Sequence, residues 1–356
     1  MQKRFLILPL IYLFFAAISL TIIQSIAPVL VQYQALFFVI GALIFTITST
    51  IPLNTWKRLS PLLYVGMIIF LIIPLAFGIV TRGSRGWIPI GPFNLQPSQF
   101  SQPIALLLLS FFLTKHSMKE WKNLVLASVM IGLPLLLIFI EPDFGTFAVL
   151  SVALSSIIFF SDIPFSRILF LSGIMIVLSG LVWTLLLQPY QKQRITTFFS
   201  SEETQVDNYN AVQSLIAVGS GQVWGRGLGH GVQSQLRFLP ERQTDFIFAS
   251  LAEETGFIGV SLLLSLYFIL LIYIFLVAQR HKYRSPQQLF LLGAASLLFI
   301  QIFINVGMNS GIMPITGITL PFISYGGSSL LSFAFLFGLI QHIVINQHAK
   351  HFRQIR

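Results

Sequence analysis

Ten runs of apolar residues, each near the length that crosses a bilayer, constrain this chain more than any other feature. A helix needs about 20 predominantly apolar residues to traverse the hydrocarbon core. The expected spans are 5–27, 33–52, 61–79, 99–114, 124–140, 144–160, 167–187, 246–278, 288–308 and 325–346. The stretch 124–160 is too long for one crossing, and Glu141-Pro142-Asp143 interrupts it with two acids and a helix breaker. Only 9% of the residues are charged and 55% are hydrophobic, against about a quarter charged in soluble domains. Too few charges remain to cover a water-facing surface, which excludes soluble enzymes, DNA-binding folds and disordered chains. The apolar run from Phe5 reads as a span and not as a short signal core. The expected fold is an all-α polytopic membrane protein with ten transmembrane helices. With no fixed-period repeat or low-complexity tract, 1–356 reads as a single membrane domain with one large extracytoplasmic loop at about 188–245.

Ten spans put both termini on one side, and the basic residues say which. Lys3, Arg4, Lys57, Arg58, Lys115, Lys119, Lys122, Arg167, Arg280, Lys282, Arg284, Lys350, Arg353 and Arg356 gather at the inner ends. The short outer segments keep only Arg82 and Arg85, so both termini are expected in the cytoplasm under the positive-inside rule. The net charge of +10 then reflects loops held against anionic lipid, not nucleic-acid binding. Most acids fall on the outer side: Glu141, Asp143, Glu202, Glu203, Asp207, Glu241, Asp245, Glu253 and Glu254. The chain has no cysteine, so disulfides, thiolate metal sites and cysteine nucleophiles are excluded. Only His230 of the six histidines lies outside, which leaves no histidine metal cluster there.

Four outer stretches carry polar chemistry. The long loop opens with Lys192 and Arg194. Tyr209, Val212 and Ile216 follow at helical spacing, which predicts a short interfacial helix. Six glycines between Gly219 and Gly231 either let backbone N–H groups approach a phosphate or simply make a turn-rich loop. The loop closes on Glu241, Thr244 and Asp245. Asp245 falls at a helix start, where an aspartate caps or serves chemistry, and Ala249, Ala252 and Gly256 share its face. Such small residues admit a neighbouring helix or a lipid-like ligand. Asp143 lies in the second stretch, as a turn and cap or as a functional acid. The third is a loop with Arg85, Trp87 and the amides Gln96 and Gln99; the fourth is irregular polar backbone from Asn309 to Ser329. Irregular backbone is tolerated at membrane depth only where protein or a water-filled cavity surrounds it.

Taken together these stretches resemble the SEDS family (shape, elongation, division and sporulation). The matches are Gly83-x-x-x-Trp87-Ile88, Gln96-Pro97-Ser98, Pro142-Asp143-x-Gly145-Thr146, Tyr190-Gln191-x-x-Arg194-Ile195, Gly225-x-Gly227-x-Gly229, Leu239-Pro240-Glu241, Thr244-Asp245-Phe246-Ile247-Phe248-Ala249, Glu253-Glu254-x-Gly256 and Pro314 through Ser329. They cover nearly the whole chain. The resemblance implies ten membrane helices, polymerisation of lipid II into glycan strands at the outer face of the bacterial cytoplasmic membrane, and a class B penicillin-binding protein as partner. It implies Asp245 as the catalytic acid and Asp143 as an acid of the central cavity. One departure stands out: the family follows Gln-Pro-Ser with Glu and, three residues later, Lys, whereas this chain has Gln99 and Gln102.

The expected reaction is glycosyl transfer between two lipid II molecules, with Asp245 as general base. Arg85, Lys192 and Arg194 are candidate ligands for the departing diphosphate. Gln99, Gln102, Asp143, Glu241, Thr244, Ser324 and Tyr325 complete the expected substrate-binding set. No cofactor is required by the sequence. A divalent cation, Mg or Mn, is compatible with this chemistry, although no ligand spacing marks a site. Two other readings share the substrate: a transporter that flips lipid II, and a catalytically weak scaffold for the crosslinking enzyme.

Overall fold

The computed structural model describes residues 6–81, 84–91, 93–186, 192 and 206–354. Helices dominate: α1 (Ile7–Ile26), α2 (Val31–Thr50), α3 (Leu53–Phe77), α4 (Pro97–Lys115), α5 (Trp121–Ile140), α6 (Phe144–Phe159), α7 (Phe165–Leu181), α8 (Val206–Ser220), α9 (Val232–Gln235), α10 (Ile247–Gln279), α11 (Pro286–Asn309) and α12 (Gly327–Gln354). Each of the ten expected spans overlaps one of them. Seven helices among the described residues are long and apolar enough to cross a membrane; these include α1, α3, α5, α10 and α11. Their outward faces carry exposed large apolar side chains such as Leu13, Phe14, Leu62, Phe257 and Phe268. That is the inverse of a soluble surface and suits contact with lipid.

Three local expectations meet the structure. The interruption at 141–143 ends α5 and starts α6, with Asp143 as N-cap accepting from the Thr146 N–H at 3.1 Å. The periodic Tyr209, Val212 and Ile216 lie on α8, and all three are exposed. The expectation of an all-helical chain needs a correction. The outer stretch read as a loop forms a small antiparallel sheet of β1 (Ile79–Thr81), β2 (Ser84–Ile90) and β3 (Phe93–Leu95), in that order. Its β-branched and aromatic residues favour strands, and Gly91 turns the chain into β3 with φ +58°.

Between α11 and α12 the chain runs without regular structure, and protein surrounds its part at 320–324. Phe322 sits at the centre, its ring 4.6 Å from Phe337, 5.6 Å from Phe15 and 5.6 Å from Tyr12. Its backbone carbonyl neighbours are taken from several sides. The Tyr267 hydroxyl of α10 donates to the Pro321 oxygen, Ser19 of α1 to the Ile323 oxygen, and Gln34 of α2 to the Ser324 oxygen. These bonds meet the requirement that buried irregular backbone be satisfied, and they fix the segment that faces the acids.

Helix α10 is broken near its start. Gly256 has φ +66° and ψ −165°, non-helical values that suit glycine. The carbonyls freed there are reached by the glycine-rich loop: Arg226 N–H donates to the Glu253 oxygen at 2.9 Å and Gly227 N–H to the Glu254 oxygen at 3.0 Å. A Cβ on Gly221 would stand 1.9 Å from the Ala252 oxygen, and one on Gly225 2.2 Å from the Glu254 oxygen. The small face of Ala249, Ala252 and Gly256 is thus approached, at its Gly256 end, by this loop and not by a neighbouring helix or lipid.

Candidate active site

Asp245 is 7% exposed and immediately precedes Phe246, which holds the N-cap position of α10. A simple capping role is therefore displaced by one residue. The surrounding backbone is held from three directions. Ser324 Oγ donates to the Thr244 oxygen at 2.6 Å, Tyr325 N–H donates to the Gln243 oxygen at 2.8 Å, and Gly317 lies against the carboxylate, where a Cβ would stand 3.5 Å from Asp245 Oδ2. Thr244 Oγ1 donates to Glu241 Oε2 at 3.0 Å. Glu241, Thr244, Asp245, Ser324 and Tyr325, five of the residues expected from sequence, thus form one cluster.

A second cluster gathers around Asp143. Its Oδ2 accepts from Gln96 Nε2 at 2.8 Å and from Ser98 Oγ at 3.0 Å. Gln99 Nε2 reaches Gln96 Oε1 and Thr146 Oγ1, each at 3.4 Å, and Gln102 Nε2 reaches Gln99 Oε1 at 3.4 Å. Desolvation raises the Asp143 carboxyl above its ordinary value, while bonds from Thr146, Ser98 and Gln96 pull it back. Burial also lifts Glu141 to about 8, and the charge of Asp143 adds to the rise. Asp143 is thus both helix cap and member of a buried polar cluster, so its two sequence readings are compatible. The irregular segment divides the clusters: a Cβ on Gly145 would stand 2.9 Å from the Thr316 oxygen, while Gly317 faces Asp245.

The remaining expected residues are not joined to either cluster by a described contact. Lys192 Nζ donates to the Thr184 oxygen at 3.3 Å. Arg194 lies outside the described residues, as do Glu202 and Glu203, and Arg85 is described only as backbone of β2. Among the described residues no three His, Asp or Glu side chains group as metal ligands. The glycine-rich loop is not a phosphate cradle at Arg226, Gly227 and Gly229, because these N–H groups already donate to the α10 carbonyls, Ser25 and Glu254.

Glu253 and Glu254 are structural anchors. Glu253 accepts from the Gln233 and Ser234 N–H groups and from Ser234 Oγ at 2.6 Å. Glu254 accepts from Ser25 Oγ at 2.7 Å, from the Gly229 N–H and from Gln235 Nε2. A hydrogen bond to a charged group contributes about 1.5–3 kcal/mol; those on Glu253 reach both of its oxygens, whereas all three on Glu254 converge on Oε1. Sequence reasoning missed Asn305 and named Asn309 only as the start of the fourth polar stretch; both contact the Asp245 carbonyl. Gln301, Asn305 and Asn309 recur every fourth residue of an apolar helix, one polar stripe in a membrane span, and that was the available signal.

A polytopic helical membrane protein with two buried carboxylate clusters on either side of an irregular segment is the class that fold and site define. The chain belongs to the FtsW/RodA/SpoVE family of cell cycle proteins, which it matches over residues 3–349. It is 35% identical over 309 residues to peptidoglycan glycosyltransferase MrdB of Escherichia coli K12, covering 85% of this chain and 82% of that protein. To stage V sporulation protein E of Bacillus subtilis 168 it is 36% identical over 359 residues, covering 95% and 96%. The fold is similar to that of a chain from a peptidoglycan synthase complex solved for its coordination of polymerization and crosslinking, with TM-score 0.82, 27% identity and coverage of 96% and 97%.

Proposed function

We propose that this protein is a peptidoglycan glycosyltransferase that polymerises lipid II at the outer face of the bacterial cytoplasmic membrane, with Asp245 as general base. The observation that carries the mechanism is the buried Asp245 carboxylate, held by its backbone at the start of α10 and facing Gly317. In the reaction, Asp245 takes the proton of a sugar 4-hydroxyl. That oxygen forms a bond to the anomeric carbon of the donor as the bond to the polyprenyl diphosphate breaks, and the diphosphate leaves with the electron pair. An α-linked donor then gives a β-linked product by single displacement, without an enzyme nucleophile.

Glu241, Thr244, Ser324 and Tyr325 line the acceptor side of this centre, and Gln99, Gln102 and Asp143 the cavity beyond the irregular segment. Lys192, Arg194 and Arg85 are the cations assigned to the diphosphate. The protein is read as one domain crossing the membrane ten times, with cytoplasmic termini and an outer loop at about 188–245. A class B penicillin-binding protein is its crosslinking partner, a reading supported by the fold shared with a chain of a peptidoglycan synthase complex.

Purified protein given lipid II in liposomes, with and without that partner, tests the proposal. Glycan polymer is the expected product. Translocation of lipid II without polymer would instead identify a transporter, and neither product a scaffold.

A further inference from the structure

Helix α10 starts without help from its own cap: Phe246 makes no side-chain cap bond, although the first N–H groups of a helix have no partner within it. Helix α11 supplies one. Asn309 Oδ1 accepts from the Ala249 N–H at 3.2 Å, in the first turn of α10. The amide nitrogen of the same side chain donates to the Asp245 oxygen at 3.0 Å, and Asn305 Nδ2 donates to that oxygen at 3.1 Å. Both lone pairs of one carbonyl are thus engaged by two amides one turn apart on α11.

The amides reach further. Asn305 Nδ2 also donates to the Ile318 oxygen at 2.6 Å, next to Gly317, which faces the Asp245 carboxylate. Ser214 Oγ of α8 donates to the Asn309 backbone oxygen at 2.9 Å, with Asn309 Oδ1 at 3.3 Å. Asn305 and Asn309 are fully buried, and Asn305 Oδ1 has no hydrogen-bond partner among the described residues. The amide nitrogen of Asn305 is committed to the Asp245 and Ile318 carbonyls.

We infer that Asn305 and Asn309 are positioning residues for glycosyl transfer, fixing the peptide plane of Asp245 and with it the direction of the carboxylate. The inference rests on Asp245 as the general base. Misplacement of a reacting group by about 1 Å lowers turnover by about 100-fold. Asn305→Ala with Asn309→Ala should therefore lower kcat for lipid II polymerisation by about that factor, with KM changed less than about threefold. Asn305→Ser and Asn309→Ser, which keep a hydroxyl donor, should recover part of the loss, and they replace the alanine pair if it fails to insert. Because the asparagines act through Asp245, none of these changes should add to the loss in an Asp245→Asn background. An equal further loss in that background, or a raised KM with kcat retained, overturns the inference. So does parent-like turnover of the double asparagine variant while Asp245→Asn is inactive. Parent-like turnover of Asp245→Asn overturns the general-base reading itself.

Discussion

Gln102 donates to Gln99 Oε1 across one turn of α4 at 3.4 Å, and its own Oε1 is buried without a hydrogen-bond partner among the described residues. The pair is neutral at both positions where the resemblance to the family leads one to expect Glu and Lys. A single buried charge is expensive, about 3–5 kcal/mol when its partner is missing. Gln99→Glu alone would also bring a second anion to the hydrogen-bonded group of Asp143. Gln99→Glu combined with Gln102→Lys should therefore be better tolerated than either change alone. The measurement is a double-mutant cycle on thermal stability and polymerisation, with coupling of about 0.5–3 kcal/mol expected. Additive losses would mean that the two side chains do not meet.

Asp245→Asn keeps the size of the side chain and removes its ability to take a proton at neutral pH. Membrane insertion, thermal stability and partner binding should stay near the parent, while lipid II polymerisation falls by about 10²–10⁴. The assay is glycan chain formation by the purified variant. Polymerisation near the parent rate would place the catalytic centre elsewhere.

Burial, with the charge of Asp143 adding to it, lifts the Glu141 carboxyl from the ordinary 4.5 to about 8. A raised carboxyl binds more protons folded than unfolded, so its contribution is complete below about pH 4.5 and is lost as pH rises through 8. Between those limits the loss approaches about 1.4 kcal/mol per pH step of one. Melting temperatures in detergent should fall from pH 6 to pH 9 more steeply for the parent than for Glu141→Gln, which mimics the neutral acid. Parallel pH curves would show that Glu141 does not carry this dependence.

Exposed positions in the cysteine-free chain report sidedness directly. Val223→Cys lies in the glycine-rich loop and Lys119→Cys between α4 and α5, and both native side chains are exposed. An impermeant thiol reagent on intact cells should label the first and spare the second. The reverse pattern would invert the orientation assigned here.

Sequence alone revealed the helices because lipid imposes a single requirement on long stretches, and the break at Glu141-Pro142-Asp143 is visible without any tertiary knowledge. The grouping of Glu241, Thr244 and Asp245 was legible as a local motif, and Ser324 and Tyr325 were legible only as members of a polar irregular stretch. What joins them was not. The Ser324 bond to Thr244 and the Asn305 bond to Asp245 link positions 80 and 60 residues apart, and no local pattern encodes such pairings. The two readings of the glycine-rich loop could not be separated for a similar reason. Its N–H groups looked available to phosphate, but the carbonyls that claim them lie across the Gly256 break. The sheet at 79–95 escaped because its strands are too short to show alternation clearly.

The Gly256 break also sets how deep the chemistry sits. A continuous helix of 33 residues would measure roughly 50 Å at 1.5 Å per residue, well beyond the roughly 30 Å hydrocarbon core. The part from Phe257 to Gln279 reaches roughly 35 Å by itself, enough for the crossing. The turns from Ile247 to Thr255 therefore need not follow the direction of the crossing. Glu253 and Glu254 stay buried in protein, while under the proposed function this freedom lets Asp245 act near the headgroup level. A growing polysaccharide can be extended there without its polar rings entering the oil, while the isoprenoid tail of each precursor stays dissolved below.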